Sequence, residues 1–252
     1  MPPVSDYLLI DISNSMTKIA PSGVMEIEAE PLLIPTGEIT VEALRGLPWE
    51  LPQGGFSVVL SSVVPDKSKV IEATFGEDRV LKVSSSIELG ICIDYPAPET
   101  IGGDRLANAA ATVCYYGAPA VVVDFGTAVT FDIISEAGAY VGGVIAPGLS
   151  AMTEYMFDHT ALLPRIDLEE PASVIGKSTE EAMQSGAVLG YRGLVKDILG
   201  AIADELGCET PPVIATGGYA TLIANGIPAI NLVHENLTLE GLRIIAGLNS
   251  PG

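Results

Sequence analysis

The chain has 252 residues, 48% of them apolar, enough for one large domain or two ordinary ones with a substantial core, which excludes a disordered protein. A formal net charge of −20 argues against a nucleic-acid backbone or an anionic membrane as partner. Cys92, Cys114 and Cys208 are far apart and lack CxxC spacing, so no disulfide framework or zinc site is expected and a reducing cytoplasm fits.

In chain order, strands are predicted over 7–12 (YLLIDI), 16–20 (MTKIA), 25–34 (MEIEAEPLLI), 56–62 (FSVVLSS) and 79–84 (RVLKVS), then over 120–125 (AVVVDF), 128–134 (AVTFDII), 139–146 (AYVGGVIA), 212–216 (PVIAT) and 229–233 (AINLV). Helices are predicted near 40–47, 66–75, 103–116, 149–162, 178–206, 218–225 and 237–248. Such alternation reads as an α/β protein. No apolar run approaches the roughly 18 residues of a membrane span, and the N-terminus lacks a basic region and a long apolar region, so a soluble, unexported protein is expected.

The longest predicted helix opens with capping-box spacing at Ser178 and Glu181, and an apolar face follows at Ala187, Tyr191, Leu194, Ile198, Ile202 and Leu206. Gly186, Gly190 and Gly193 border that face. Each glycine in a helix costs about 1 kcal/mol against alanine, so another backbone is expected close by, within the chain or at a subunit interface.

A faint repeat carries more information. LLIDISNSMTKIA and VVVDFGTAVTFDII share one grammar, an apolar strand ending in an acid, a short polar turn and a second strand, with Asp11 and Asp124 113 positions apart. Ser and Asn in such a turn make ordinary hairpins; they also present N–H groups and hydroxyls to phosphate, with the carboxylate toward a metal ion. A third element, Thr216-Gly217-Gly218, follows an apolar strand and precedes a helix, where glycines let a backbone approach a flat ligand. Together the three resemble the two phosphate motifs and the adenosine motif of the superfamily of acetate kinase, sugar kinases, heat-shock ATPases and actin.

Within that superfamily the chain is short, and YPAPETIGGDRLANAAA, Tyr95 to Ala111, resembles the substrate motif of type III pantothenate kinase. DFGTAVTFD, GGVIAPG, GKSTEEAMQSG, IATGGYA and ENLTLEGL resemble the same family in order, so the resemblance covers nearly the whole chain. It implies an α/β fold of two similar lobes of the actin-like ATPase (ribonuclease H-like) type, each a mixed sheet flanked by helices, over 1–116 and 117–252. It also implies transfer of the γ-phosphoryl group of ATP to the primary hydroxyl of pantothenate, the first step of coenzyme A synthesis, in a cytoplasmic homodimer that uses Mg²⁺ and K⁺ or NH₄⁺.

The resemblance assigns residues as well. Asp104 would accept the hydroxyl proton; read alone, it is also an acid beside the positive end of a helix. Arg105 would bind the acceptor or the transferred group, or pair with an acid, and Tyr95, Gly102, Gly103 and Thr179 would complete the pantothenate site. The first loop, Asp11, Ile12, Ser13, Asn14, Ser15, Met16, Thr17 and Lys18, would line the ATP with Thr127. Asp11 would face Mg²⁺ through water and Asp124 would hold the monovalent cation, while Asp132 is either a structural acceptor or a ligand. His159 and His234 stand outside every motif and read as structural.

One departure concerns the first loop, where the family has Asp-x-Gly-Asn-Thr and this chain has Asp11-Ile12-Ser13-Asn14-Ser15. If the third position needs a positive φ or close approach to phosphate, a β-carbon there is unfavourable by about 1 kcal/mol. Two rival functions follow: a nucleotide-binding regulatory paralogue without kinase activity, and a kinase of another small hydroxy acid or sugar. The intact Asp104 and Arg105 favour an enzyme.

Overall fold

A computed structural model describes residues 5–49, 57–208 and 211–250. The chain divides into two compact units, Met1–Ala118 with Ala137–Gly142 and Asn236–Gly252, and Pro119–Glu136 with Gly143–Glu235.

In the first unit β1 (Tyr7–Ile12) is buried along its whole length, which is why it reads as an apolar run broken only by Asp11. It pairs antiparallel with β2 (Met16–Ser22) and parallel with β4 (Val58–Ser62). With β3 (Leu32–Pro35) and β5 (Val80–Lys82) at the edges, the order is β3-β2-β1-β4-β5. Side chains alternate across the sheet. Leu8, Ile10, Ile12, Val58 and Leu60 form one core with Ile39, with Leu44 of α1 (Val41–Arg45) and with Ile71 of α2 (Pro65–Phe75). Leu9, Asp11, Val59 and Ser61 take the other face, where α3 (Gly103–Tyr116) and α7 (Leu237–Asn249) pack.

Helices α3 and α7 touch backbone to backbone, since a β-carbon on Gly241 would fall on the Ala107 carbonyl. Thr238 Oγ1 also donates to Asn108 Oδ1 at 2.8 Å in the buried seam. The division expected at 116/117 puts α7 in the second lobe, whereas this contact joins it to the first unit. The Thr238–Asn108 contact spans 130 positions of sequence and leaves no local signal.

Several predicted strands are shorter in the structure. Of the stretch 25–34 only Leu32 onward is strand, because residues 22–28 turn back on themselves through Gly23 N–H to Glu26 O at 3.0 Å and Glu28 N–H to Pro21 O at 3.0 Å. Phe56, the predicted start of the fourth strand, lies outside the described residues. A two-residue strand that sequence reading missed, β6 (Cys92–Ile93), pairs with Ala139 and Tyr140 at the start of β9 (Ala139–Pro147).

The second unit repeats the plan of the first. β7 (Ala120–Phe125) pairs antiparallel with β8 (Ala128–Ile134) and parallel with β10 (Val213–Thr216), which pairs with β11 (Leu232–Val233). Its helices are α4 (Leu149–His159), α5 (Thr179–Leu206) and α6 (Ala220–Ala224). The predicted capping box forms: Ser178 Oγ accepts from Glu181 N–H at 3.1 Å, and Glu181 Oε2 reaches back to Lys177 N–H at 2.5 Å.

The buried face of α5 is Met183, Ala187, Val188, Tyr191, Val195, Leu199 and Ile202, so Leu194, Ile198 and Leu206 are only half-buried. Apart from the neighbours Ala187 and Val188, both series step by three or four residues, and spacing alone cannot choose between them. Gly186, Gly190 and Gly193 are exposed, and among the described residues a β-carbon on any of them would meet nothing within 4 Å beyond its own turn of helix. Close packing within the chain therefore does not explain these glycines.

Candidate active site

The first hairpin puts Asp11 opposite Lys18 on β2 and beside Ser61 on β4. Asp11 is 6% exposed and is the only acid between Tyr7 and Ser22. The turn closes through Ser13 N–H to Met16 O at 3.1 Å. Thr36 braces it from outside: its hydroxyl donates to Ser13 O at 2.8 Å, and its amide donates to Ser15 O at 2.9 Å. Sequence reading missed Thr36, which carries no motif of its own. No non-glycine residue among those described has a positive φ, so Ser13 is not in the left-handed conformation that would have penalised loss of glycine. Asn14, Ser15 and Met16 are exposed, whereas the side chains of Ile12 and Thr17 are buried and leave only backbone to meet a ligand.

The entrance of α3 shows why two glycines precede Asp104. Gly102 caps the helix with extended backbone, and a β-carbon there would overlap the Asp104 carboxylate. A β-carbon on Gly103 would lie 2.9 Å from the Val83 carbonyl and 3.5 Å from Ser61 Oγ. Close approach, not positive φ, is what both positions need. The helix start thus rests on the end of β4, next to the strand that carries Asp11. Asp104 Oδ1 accepts from Arg105 N–H at 2.9 Å, which turns the half-buried carboxylate back over the helix end.

Arg105 does not stand alone. Its guanidinium carbon lies 5.7 Å from the ring centroid of Tyr140, and Tyr95 meets Tyr140 edge-on with centroids 6.2 Å apart. Tyr95 in turn lies against Gly142, whose φ is +138° and where a β-carbon would sit 3.7 Å from the ring. The structure therefore brings Tyr95, Gly102, Gly103, Asp104 and Arg105 together within the first unit, joined by a tyrosine that sequence reading did not single out.

In the second unit Asp124 occupies on β7 the place that Asp11 holds on β1. It is half-buried, opposite Thr130 on β8 and beside Thr216 on β10. The turn runs through Gly126 and exposed Thr127, with Gly126 N–H donating to Ala128 O at 3.1 Å. Two glycines approach it from elsewhere in the unit. Gly217, at φ +92°, leaves no room for a β-carbon, which would lie 2.5 Å from Asp124 Oδ1 and 2.6 Å from Phe125 N. Gly148, the residue before α4, donates to Thr127 O at 3.1 Å. The Thr-Gly-Gly element and the second turn are thus neighbours.

Tyr191 supports this region from α5. Its ring packs 6.3 Å from Phe125, and burial pushes its hydroxyl's pKa well up, with the Leu149 amide opposing. Asp132 is fully buried on β8. Thr179 is exposed at the first turn of α5 and lines an apolar groove of about 900 Å³ between α4 and α5, with Met152, Tyr155, Met156 and Met183. His159 stacks on Tyr155 with centroids 4.0 Å apart, away from every motif.

A family model described as type III pantothenate kinase matches residues 7–201. The chain belongs to the type III pantothenate kinase family. A type III pantothenate kinase of Akkermansia muciniphila is 49% identical over 251 residues, covering 96% of this chain and 99% of that protein. Another, of Methylacidiphilum infernorum, is 45% identical over 241 residues, covering 94% and 87%. Among solved structures, MreB 5 of Spiroplasma citri bound to AMPPNP aligns with a TM-score of 0.55 at 10% identity over 96% of each chain, a likeness of fold. The matched stretch takes in both hairpins and the Gly-x-Asp-Arg entrance of α3. Among the described residues no helix is long and apolar enough to cross a membrane.

Proposed function

We propose that the chain transfers the γ-phosphoryl group of ATP to the primary hydroxyl of pantothenate, with Asp104 as the general base. One observation carries the reading: family membership over residues 7–201 coincides with an Asp104 carboxylate turned over the start of α3 beside Arg105. A hydroxyl attacking phosphorus must lose its proton, and a carboxylate within hydrogen-bond reach takes it. The hydrogen bond from Arg105 N–H to Asp104 Oδ1 at 2.9 Å holds the carboxylate over the helix start. Arg105 supplies a fixed planar cation for an acceptor carboxylate or for the transferred group, and Tyr95 borders the same place.

The phosphates of ATP are assigned to the exposed part of the first hairpin, Ser13 to Met16 with Lys18, and to Thr127 of the second. Asp11 suits a divalent ion such as Mg²⁺, which commonly takes one or two carboxylates with substrate phosphates. When bound, that ion neutralises charge on the transferred group. Asp124 is assigned to a monovalent cation, K⁺ or NH₄⁺, since a strand-end carboxylate beside the second turn suits a hard cation.

The proposed protein is a homodimer. Among the described residues, exposed Gly186, Gly190 and Gly193 meet nothing beyond their own turn of helix, and the apolar groove beside Thr179 continues their face with Met183. A cytoplasmic setting fits the uncoupled cysteines. The test is a coupled assay of purified protein with ATP, Mg²⁺ and a panel of small hydroxy acids and sugars that includes pantothenate. Turnover with pantothenate is expected; turnover with another acceptor alone would reassign the substrate.

A further inference from the structure

The β6–β9 ladder fixes where Tyr95 falls. Ile93 pairs with Tyr140, and Asp94 N–H donates to Tyr140 O at 2.9 Å, so Tyr95 is the first side chain past the ladder and lands against the Tyr140 ring. Tyr140 itself is 1% exposed and so is held rigidly. It presents its ring to the Arg105 guanidinium at 5.7 Å, within the range in which the negative ring face attracts a cation. Its contact with Tyr95 is near-perpendicular at 77°, the edge-to-face arrangement aromatic pairs prefer. One buried side chain therefore touches both residues assigned to the acceptor and can touch no acceptor itself.

We infer that Tyr140 is a positioning residue that fixes the Arg105 guanidinium and the Tyr95 ring in the geometry that receives the acceptor. The inference rests on the assignment of Arg105 and Tyr95 to the pantothenate site. A flexible arginine freed from the ring face samples many rotamers, and binding must then restrict them. Loss of Tyr140 should accordingly weaken acceptor binding and leave the nucleotide alone.

The experiment compares Tyr140→Phe, Tyr140→Leu, Arg105→Gln and the double variant Arg105→Gln/Tyr140→Leu, reading kcat and both KM values with thermal stability alongside. Tyr140→Leu should raise the KM for pantothenate about fivefold or more and change that for ATP by less than about twofold, while Tyr140→Phe stays near native. In the Arg105→Gln background the leucine substitution should add little, because its effect passes through the arginine. Unchanged pantothenate KM in Tyr140→Leu, with a raised one in Arg105→Gln, overturns the role of Tyr140 alone. Unchanged pantothenate KM in Arg105→Gln overturns the acceptor assignment and the role of Tyr140 with it. Should Tyr140→Leu fail to fold, progressively fluorinated phenylalanines at position 140 keep the shape and weaken the ring face. The pantothenate KM should then climb with fluorination, and a flat series overturns the inference.

Discussion

Gly148 and Thr127 meet backbone to backbone, the amide of the one donating to the carbonyl of the other at 3.1 Å. A β-carbon on Gly148 would overlap that carbonyl and lie 2.6 Å from the carbonyl oxygen of Gly126, so any side chain must push the second hairpin turn aside. Gly148→Ala is expected to raise the KM for ATP about tenfold if Thr127 meets the phosphates. Steady-state kinetics with varied ATP measure it, and an unchanged KM would remove the turn from the nucleotide site.

Asp104 offers a sharper separation of binding from chemistry. Asp104→Asn keeps the shape and the acceptor oxygen for Arg105 N–H but cannot take a proton. A fall in kcat of about 10²-fold or more is expected, with ATP affinity by calorimetry within about twofold of native. Near-native turnover would take Asp104 out of the mechanism.

Much of this arrangement was legible in the sequence because it is local. A hairpin with a terminal acid, a capping box at Ser178 and a glycine pair before Asp104 each lie within a few residues, and the structure forms all three. What escaped was set by distant contacts. Tyr140 meets Tyr95 through a two-residue strand too short to carry a period. Thr36 braces Ser13 from 23 positions away, and Gly241 joins α7 to α3. On α5 the expected Ala187, Tyr191 and Ile202 are buried while Leu194, Ile198 and Leu206 are only half-buried, because two residue series share the helical spacing and only packing selects between them.

The monovalent cation can be tested without mutation. If the second turn meets the phosphates, the half-buried Asp124 carboxylate beside it gains from a cation. Activity should rise severalfold with potassium or ammonium and much less with sodium at equal ionic strength. Equal rates in the three salts would argue against this role for Asp124.

The glycine face of α5 makes opposite predictions for a monomer and a dimer. In an isolated chain Gly190→Ala would raise stability by about 1 kcal/mol, since the added methyl meets nothing and alanine favours helix. At a close interface the same methyl intrudes. Sedimentation of native protein as a dimer, with weakened association in Gly190→Ala and a monomer in Gly190→Trp, is the expected outcome. An active native monomer at micromolar concentration would refute the assembly.

Ser13 stands where the Asp-x-Gly-Asn-Thr loop pattern would place glycine, and two costs were conceivable, backbone strain and crowding of the nucleotide. The first is gone, because its φ is not positive and its amide and carbonyl are both bonded, to Met16 O at 3.1 Å and from Thr36 Oγ1 at 2.8 Å. A turn pinned at both ends in ordinary backbone gains nothing from glycine and loses the serine's smaller unfolded-state freedom, about 0.5–1 kcal/mol. Ser13→Gly is therefore expected to lower thermal stability slightly while leaving the KM for ATP within about twofold. Crowding predicts instead that the ATP KM falls severalfold with the pantothenate KM unmoved. Calorimetry of ATP with Mg²⁺ on both forms decides between them, and a clear gain in affinity on removing the β-carbon would show that the serine hydroxymethyl group, not the backbone, limits nucleotide binding.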